Sequence, residues 1–205
     1  MLVEINPYNI DKRLIEQCVS YLKKGGVLIY PTDSVYAMGC DLMSDKGLER
    51  LAKLKNIKLK DAQFSIICAD LSDVSTYVKQ IERPVFKLIK SALPGPFTFV
   101  LTATTEVSKR FGTKRKEIGI RIPNNEIVKS IVSALGNPIA TSSLHDDDDE
   151  ILDYFTDPYE IYQRFDERVE LIIDGGVGML EASTVVDCTD GNIEILRQGA
   201  GILNL

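Results

Sequence analysis

The chain has 205 residues, 44% of them hydrophobic, which suits one globular domain with its own core and excludes wholesale disorder. Its net charge of −6 is uneven: residues 1–144 hold 21 Lys and Arg against 14 Asp and Glu, and residues 145–205 hold 3 against 16. No apolar run approaches the roughly 18 residues of a membrane span, the start lacks a signal-peptide pattern, and Cys18, Cys40, Cys68 and Cys188 form no CxxC pair. A cytoplasmic chain with reduced thiols, no membrane contact and no zinc cluster is expected.

In chain order, "NIDKRLIEQCVSYLKKGG" reads as a helix, because Leu14, Ile15, Cys18, Val19 and Leu22 recur at helical spacing before Gly25 and Gly26. "GGVLIYP" is a strand. "SDKGLERLAKLKN" is a second helix, with Ser44 as N-cap and Leu48, Leu51 and Leu54 on one face. "QFSIICAD" is a strand, a third helix opens near Ser72, and a fourth runs from Pro84 to Leu93. "FTFVLTAT" and "KEIGIRIPN" are strands. "NNEIVKSIVSALGN" is a helix capped by Asn124 or Asn125 and stopped by Gly136, and "PIATSSL" is a short buried strand. "DPYEIYQRF" opens a helix with Asp, Pro and then Glu. "VELIIDGG" is a strand, and "STVVDCTDGNIEILRQG" holds two strands around Asp190-Gly191. Helices alternate with strands, but the strand-rich middle and the terminal hairpin depart from pure βαβ winding. The expected fold is a single α/β domain over residues 1–205 with a mixed, twisted sheet.

The usual phosphate cradles GxxxxGK[ST] and GxGxxG are absent, as are GxSxG and HExxH. His145 is the sole histidine, so a two-histidine metal site is excluded. The acidic run "HDDDDE" reads as a solvated loop without the glycine spacing of a calcium loop. What remains is a set of isolated polar residues at strand ends. Thr32, Ser34 and Tyr36 follow the strand at 27–30. Thr141, Ser142 and Ser143 end another, Ser183 and Thr184 precede "VVD", Arg121 lies inside "IGIRIP", and Arg197 follows "EIL". A buried arginine must be paired. Asp33, Asp41 and Asp187 are candidate structural partners, and a bound phosphate or carboxylate is the functional alternative. Two such arginines among several hydroxyls favour an anionic ligand in a shared concave groove.

Six segments, "GGVLIYPTDSVYAMGCD", "PGPFTFVL", "EIGIRIPNN", "NPIATSS", "DGG" and "STVVDCTDGNIEILRQGAG", occur in the order seen in the YrdC/YciO family, which the chain resembles from about residue 10 to 201. The resemblance implies an α/β fold with a large groove and, from the threonylcarbamoyl-AMP synthases, condensation of L-threonine, bicarbonate and ATP with release of pyrophosphate. That product serves adenosine 37 of certain tRNAs. It further implies that Thr32, Ser34 and Tyr36 line the threonine-carbamoyl end, that Arg121 and Arg197 face phosphate and nucleotide, and that Ser142, Ser183 and Thr184 hydrogen-bond phosphate or adenine. Carboxylate, bicarbonate and triphosphate are all anions, so several cations and Mg²⁺ brought with ATP would share one basic pocket.

Two departures stand out. The synthases carry Lys-x-Arg before the strand that here reads "FSIIC". This chain has "KLKNIKLKDAQ", with Lys53, Lys55, Lys58 and Lys60, of which Lys55 and Lys58 are taken as catalytic candidates. The synthases also carry Ser-x-Asn, where "ATSSLH" keeps Ser142 but places Leu144. Both departures resemble the YciO branch. The family is also described as binding double-stranded RNA. The lysines at 53–60 and "KRFGTKRK" at 109–116 would serve a tRNA or double-stranded RNA partner, weakly and with steep salt dependence. A non-catalytic nucleotide sensor is the remaining alternative.

Overall fold

The structure, a computed structural model, describes residues 1–112, 116–145 and 154–203. Its elements are β1 (Leu2–Glu4), α1 (Lys12–Lys23), β2 (Leu28–Tyr30), β3 (Ala37–Asp41), α2 (Asp45–Leu54), a 3-10 turn (Leu59–Asp61), β4 (Ser65–Ile67), α3 (Leu71–Tyr77), α4 (Arg83–Ala92), β5 (Phe97–Thr102), α5 (Thr105–Arg110), β6 (Glu117–Arg121), α6 (Glu126–Leu135), β7 (Ile139–Ser143), α7 (Pro158–Phe165), β8 (Leu171–Asp174), β9 (Thr184–Asp187) and β10 (Glu194–Arg197). The strands form one sheet in the order β1-β8-β2-β3-β7-β4-β6-β5-β9-β10. It is mixed: β8 runs parallel to β1 and β2, β4 to β6, and β5 to β9, while the remaining neighbours are antiparallel.

The helix signals read from sequence correspond to real caps. Ser44 accepts from Gly47 N at 3.1 Å and starts α2. Asn125, not Asn124, caps α6, accepting from the amides of Ile127 and Val128. Gly136 ends that helix at φ 75, a left-handed conformation that glycine takes without a Cβ penalty. The strand β3 is the main element the sequence reading did not resolve. Its residues Ala37, Met38, Gly39, Cys40 and Asp41 are all buried, so no polar alternation marks them. β1 and α5 are too short to show a period.

The two faces of the sheet are covered differently. Alternate residues of a strand point to opposite faces. One face packs Ile29, Met38, Ile66, Phe99, Ile118, Ile120, Val186 and their neighbours against Leu48 and Leu51 of α2, Val74 of α3, Val85 and Ile89 of α4, Val107 of α5 and Ile161 of α7. The other face carries α1 and α6. Ile15, Cys18 and Leu22 of the first and Ile127, Val128, Ile131 and Leu135 of the second pack on Leu28, Tyr30, Ile67, Ile139, Leu171 and Ile173. Each large aliphatic side chain so buried contributes roughly 1.5–3 kcal/mol. The α1–α6 layer covers the half of the sheet from β8 to β7. Beyond Ile67 of β4, out to β10, the same face is open, and this asymmetry makes the site.

Among the described residues, no helix is long and apolar enough to cross a membrane. The acidic run at 146–150 and residues 113–115 of the second basic run lie outside the described residues.

Candidate functional site

On the open half-face the side chains are small or polar. A cavity of about 430 Å³ is lined there by Ser65 of β4, Gly119 and Arg121 of β6, Thr98 and Val100 of β5, Ser183 and Val185 beside and in β9, and Arg197 of β10, with Thr141 and Ser143 of β7 closing one side. The inward set is a parity set: residues 98 and 100, 117, 119 and 121, and 183 and 185 all point away from the α2–α5 face. Gly119 keeps the floor open. A Cβ there would collide with Ser65 Oγ and sit 2.9 Å from Thr98 Cγ2.

Arg197 reaches this face through an irregularity. Ile195 pairs with Val186, yet Arg197 pairs with Val185, so the strand carries one extra residue between them. A bulge of this kind re-aims a side chain. Without it Arg197 would stand opposite Thr184 and point to the other face. Its Nη2 donates to Ser183 O at 2.9 Å.

Arg121 is 3% exposed. Its Nη2 donates to Ser34 Oγ at 2.9 Å, with Asp33 Oδ1 at 3.4 Å and Thr32 Oγ1 at 3.5 Å. Of the three candidate carboxylates Asp33 is thus the partner, while Asp41 and Asp187 accept from their own turns, at Met43 N and Thr189 N. Asp33 Oδ2 also accepts from Asn124 N at 2.7 Å, joining the turn to the start of α6. Burial lowers the Arg121 pKa from its ordinary value, against the pull of the Asp33 carboxylate, which raises it. Its Nε is buried without a partner among the described residues. A buried donor left open in this way is a place for a ligand acceptor.

The opposite end of the cavity is built from Gln63, Glu117, His145 and Tyr154. His145 and Tyr154 form an isolated antiparallel bridge, and their rings meet edge to face at 6.1 Å. Lys55, the C-cap of α2, brings Nζ to 3.4 Å from His145 Nε2.

The cavity therefore brings together Arg121, Ser183 and Arg197 from the residues expected on sequence grounds, while Ser142 borders it on the opposite parity, that of Leu144. Thr32 and Ser34 stand behind Arg121 rather than on the wall. Thr32 Oγ1 donates to Val35 O and accepts from Ser34 N, which fixes the turn. Tyr36 is buried, and its hydroxyl donates to Gly176 O at 2.7 Å and accepts from Gly175 N at 3.2 Å, so it holds the loop after β8. Burial pushes its pKa up to about 12.

Three placements differ from the expectation. Thr184 follows Ser183 and so faces the other way. It is fully buried, and its hydroxyl donates to Gly201 O and accepts from Gly199 N. Lys58 borders a separate open hollow with Glu49, Lys53 and Asn56. Leu144, placed at an expected nucleotide contact, is fully buried in the α2–α5 core. The next residue, His145, takes the cavity parity instead. The residues not anticipated on the wall are Gln63, Ser65, Thr98, Glu117, His145 and Tyr154. The sequence signal for Ser65 and Thr98 was a polar residue at alternate positions of an apolar strand. Among the described residues, no group of three or more His, Cys, Asp or Glu is placed to hold a metal ion.

An open mixed sheet with helices on one face and a half-covered second face defines a YrdC-like α/β protein. The crystal structure of Escherichia coli YciO superposes with a TM-score of 0.89 at 38% identity, covering 98% of this chain and 97% of that one. The chain belongs to the Sua5, YciO and YrdC family, described as "Telomere recombination", whose profile matches residues 20–199. A Haemophilus influenzae protein is 44% identical over 199 residues, 96% of this chain and 94% of the relative. The structure of P. abyssi Sua5 complexed with L-threonine shares the fold, with a TM-score of 0.87 at 24% identity. It covers 97% of this chain and 57% of that longer one.

Proposed function

We propose that the cavity binds ATP or AMP together with an L-amino acid, and that the protein is a threonylcarbamoyl-AMP synthase-like enzyme linked to tRNA modification. The observation that carries the reading is the pair Arg121 and Arg197. They come from distant segments, yet both line one hydroxyl-rich cavity, and Arg121 Nε points to no protein acceptor among the described residues. Arginine forks suit phosphate and carboxylate. The complex of P. abyssi Sua5 with L-threonine supports an L-amino acid ligand, and bicarbonate is the further substrate in this reading.

In this reading the threonine amine and bicarbonate give a carbamate and water. A carbamate oxygen then attacks the α-phosphorus, the bond from that phosphorus to the bridging oxygen breaks, and its electron pair leaves on pyrophosphate. Arg121 and Arg197 neutralise the charge that builds at the attacked phosphate. Ser183 hydrogen-bonds the nucleotide, while Thr32 and Ser34 fix the Arg121 guanidinium. The wall offers one carboxylate, Glu117, and so fits Mg²⁺ carried mainly by the phosphates, as that ion prefers. The ion would screen the triphosphate there.

The test is incubation with ATP, L-threonine, bicarbonate and Mg²⁺, with detection of threonylcarbamoyl-AMP and pyrophosphate. Threonine-dependent pyrophosphate release is expected. Nucleotide binding with no product under any amino acid would leave a nucleotide sensor in place of an enzyme.

A further inference from the structure

The face of the sheet away from the cavity carries a second hollow, between α3 and α4. It encloses about 250 Å³ and is walled by Leu71, Val74, Val78, Ile81, Phe86 and Ile89. Val74 and Ile89 are buried, whereas Phe86 is 43% exposed. The volume lies below the roughly 300–1,000 Å³ of small-molecule sites and suits one bulky apolar side chain. Cations surround it. Lys79 is the charged residue on its wall. On α4, Arg83, Lys87 and Lys90 are exposed and recur at the i, i+4, i+7 spacing of one helix face. At 3.6 residues per turn that face lies roughly 60° around the helix from Phe86. None of these four cations takes part in an ion pair among the described residues. The neighbouring acids are engaged elsewhere. Asp70 caps α3, Asp73 accepts from Ala69 N at 3.2 Å, and the Glu82 carboxylate lies close to Gly191 in an adjoining hollow.

We infer that the α3–α4 hollow is a docking site for an acidic peptide segment of another protein. The segment seats one aromatic or aliphatic side chain in the hollow and sets its carboxylates against Lys79, Arg83, Lys87 and Lys90. An apolar anchor in a pocket carries most of the affinity at such interfaces, while complementary charge speeds encounter and fixes orientation. Nucleic acid would answer the cations, but its phosphate backbone brings no apolar group to fill the hollow. A membrane surface is met by apolar groups that protrude, whereas these walls recede. Because α3 and α4 pack on the face away from the cavity, the segment leaves the cavity uncovered, and the inference stands apart from the nucleotide reading.

The experiment pans a phage-displayed random peptide library on the full chain. Recovered peptides are then titrated by fluorescence anisotropy against the unaltered protein, Phe86→Ala and the charge reversal Lys87→Glu with Lys90→Glu. Acidic peptides with one bulky apolar residue are expected. Phe86→Ala should bind them about tenfold more weakly, as should the unaltered protein when alanine replaces that apolar residue of the peptide. The charge reversal should weaken binding by at least about tenfold and remove most of its salt dependence. Thermal midpoints are measured for both variants, and the reversal, at exposed positions, decides the matter if Phe86→Ala lowers the midpoint. Phosphatidylserine vesicles and duplex RNA are titrated in parallel, and self-association is followed by sedimentation velocity. Recovery of no peptide, of peptides without acidic residues, or of peptides that bind both variants as they bind the unaltered protein overturns the docking site. So does binding of vesicles, duplex RNA or a second copy through these residues while no peptide binds.

Discussion

Arg121 Nη2 donates to Ser34 Oγ at 2.9 Å across 87 residues of sequence. The contact ties the end of β6 to the turn after β2 and sets the guanidinium at the closed end of the cavity. The structural role of this side chain and its proposed ligand role must be separated by experiment. Arg121→Ala leaves the Asp33 carboxylate nearly buried without its cation, and loss of about 3 kcal/mol of stability is expected by urea denaturation. Pairing it with Asp33→Ala should restore part of that stability. ATP affinity should fall at least about tenfold in both variants and not return in the pair. Unchanged ATP affinity in Arg121→Ala would remove the arginine from the site.

Gly119→Ala tests the floor. The added methyl meets Ser65 Oγ and Thr98 Cγ2 in a wall that has no slack. Overpacking of this kind costs typically 1–3 kcal/mol. Because the methyl also projects into the cavity, ligand affinity should drop more than stability does. Calorimetry and denaturation on the same sample compare the two.

Leu144→Asn, the change that a Ser-x-Asn pattern invites, is expected to damage the protein rather than activate it. Leu144 is fully buried in the α2–α5 core. Exchanging its apolar branch for a buried amide of similar size without a partner should cost roughly 2–7 kcal/mol, read as a lowered denaturation midpoint. A gain in threonine-dependent pyrophosphate release with stability intact would show that the side chain turns to the cavity after all.

All four cysteines are free and buried. Burial pushes Cys18 and Cys68 up to about 12 and Cys188 to about 11, from an ordinary value of 9.0. These groups stay protonated in the fold while the unfolded chain ionises. The folded state then holds more protons, so stability falls as pH rises above about 9 towards the folded values. Urea midpoints should be steady near pH 8 and decline by pH 10. In the native state the thiols should react slowly with a disulfide reagent, and all four should react on unfolding. Rapid native modification would contradict their placement.

The sequence by itself determined most of the helices and strands, though not β1, β3 or α5, and the family. Helix caps such as Ser44 act within three residues, and so they are readable without a fold, although the choice between Asn124 and Asn125 was not. The isolated polar residues at strand ends also pointed to an anionic ligand before any geometry. What the sequence left open was the face to which each of those residues points. Ser183 and Thr184 looked equivalent, but a strand sends neighbours to opposite faces, and only Ser183 reaches the cavity. The same parity sends Leu144 to the core and His145 to the wall. Arg197 needed more still, since its parity depends on a bulge in the pairing of β9 with β10. Which half of the sheet stays uncovered is set by where α1 and α6 pack. Caps and periodic patterns are local interactions, whereas register, bulges and helix placement depend on contacts between segments far apart in the chain, and only the folded sheet brings these together.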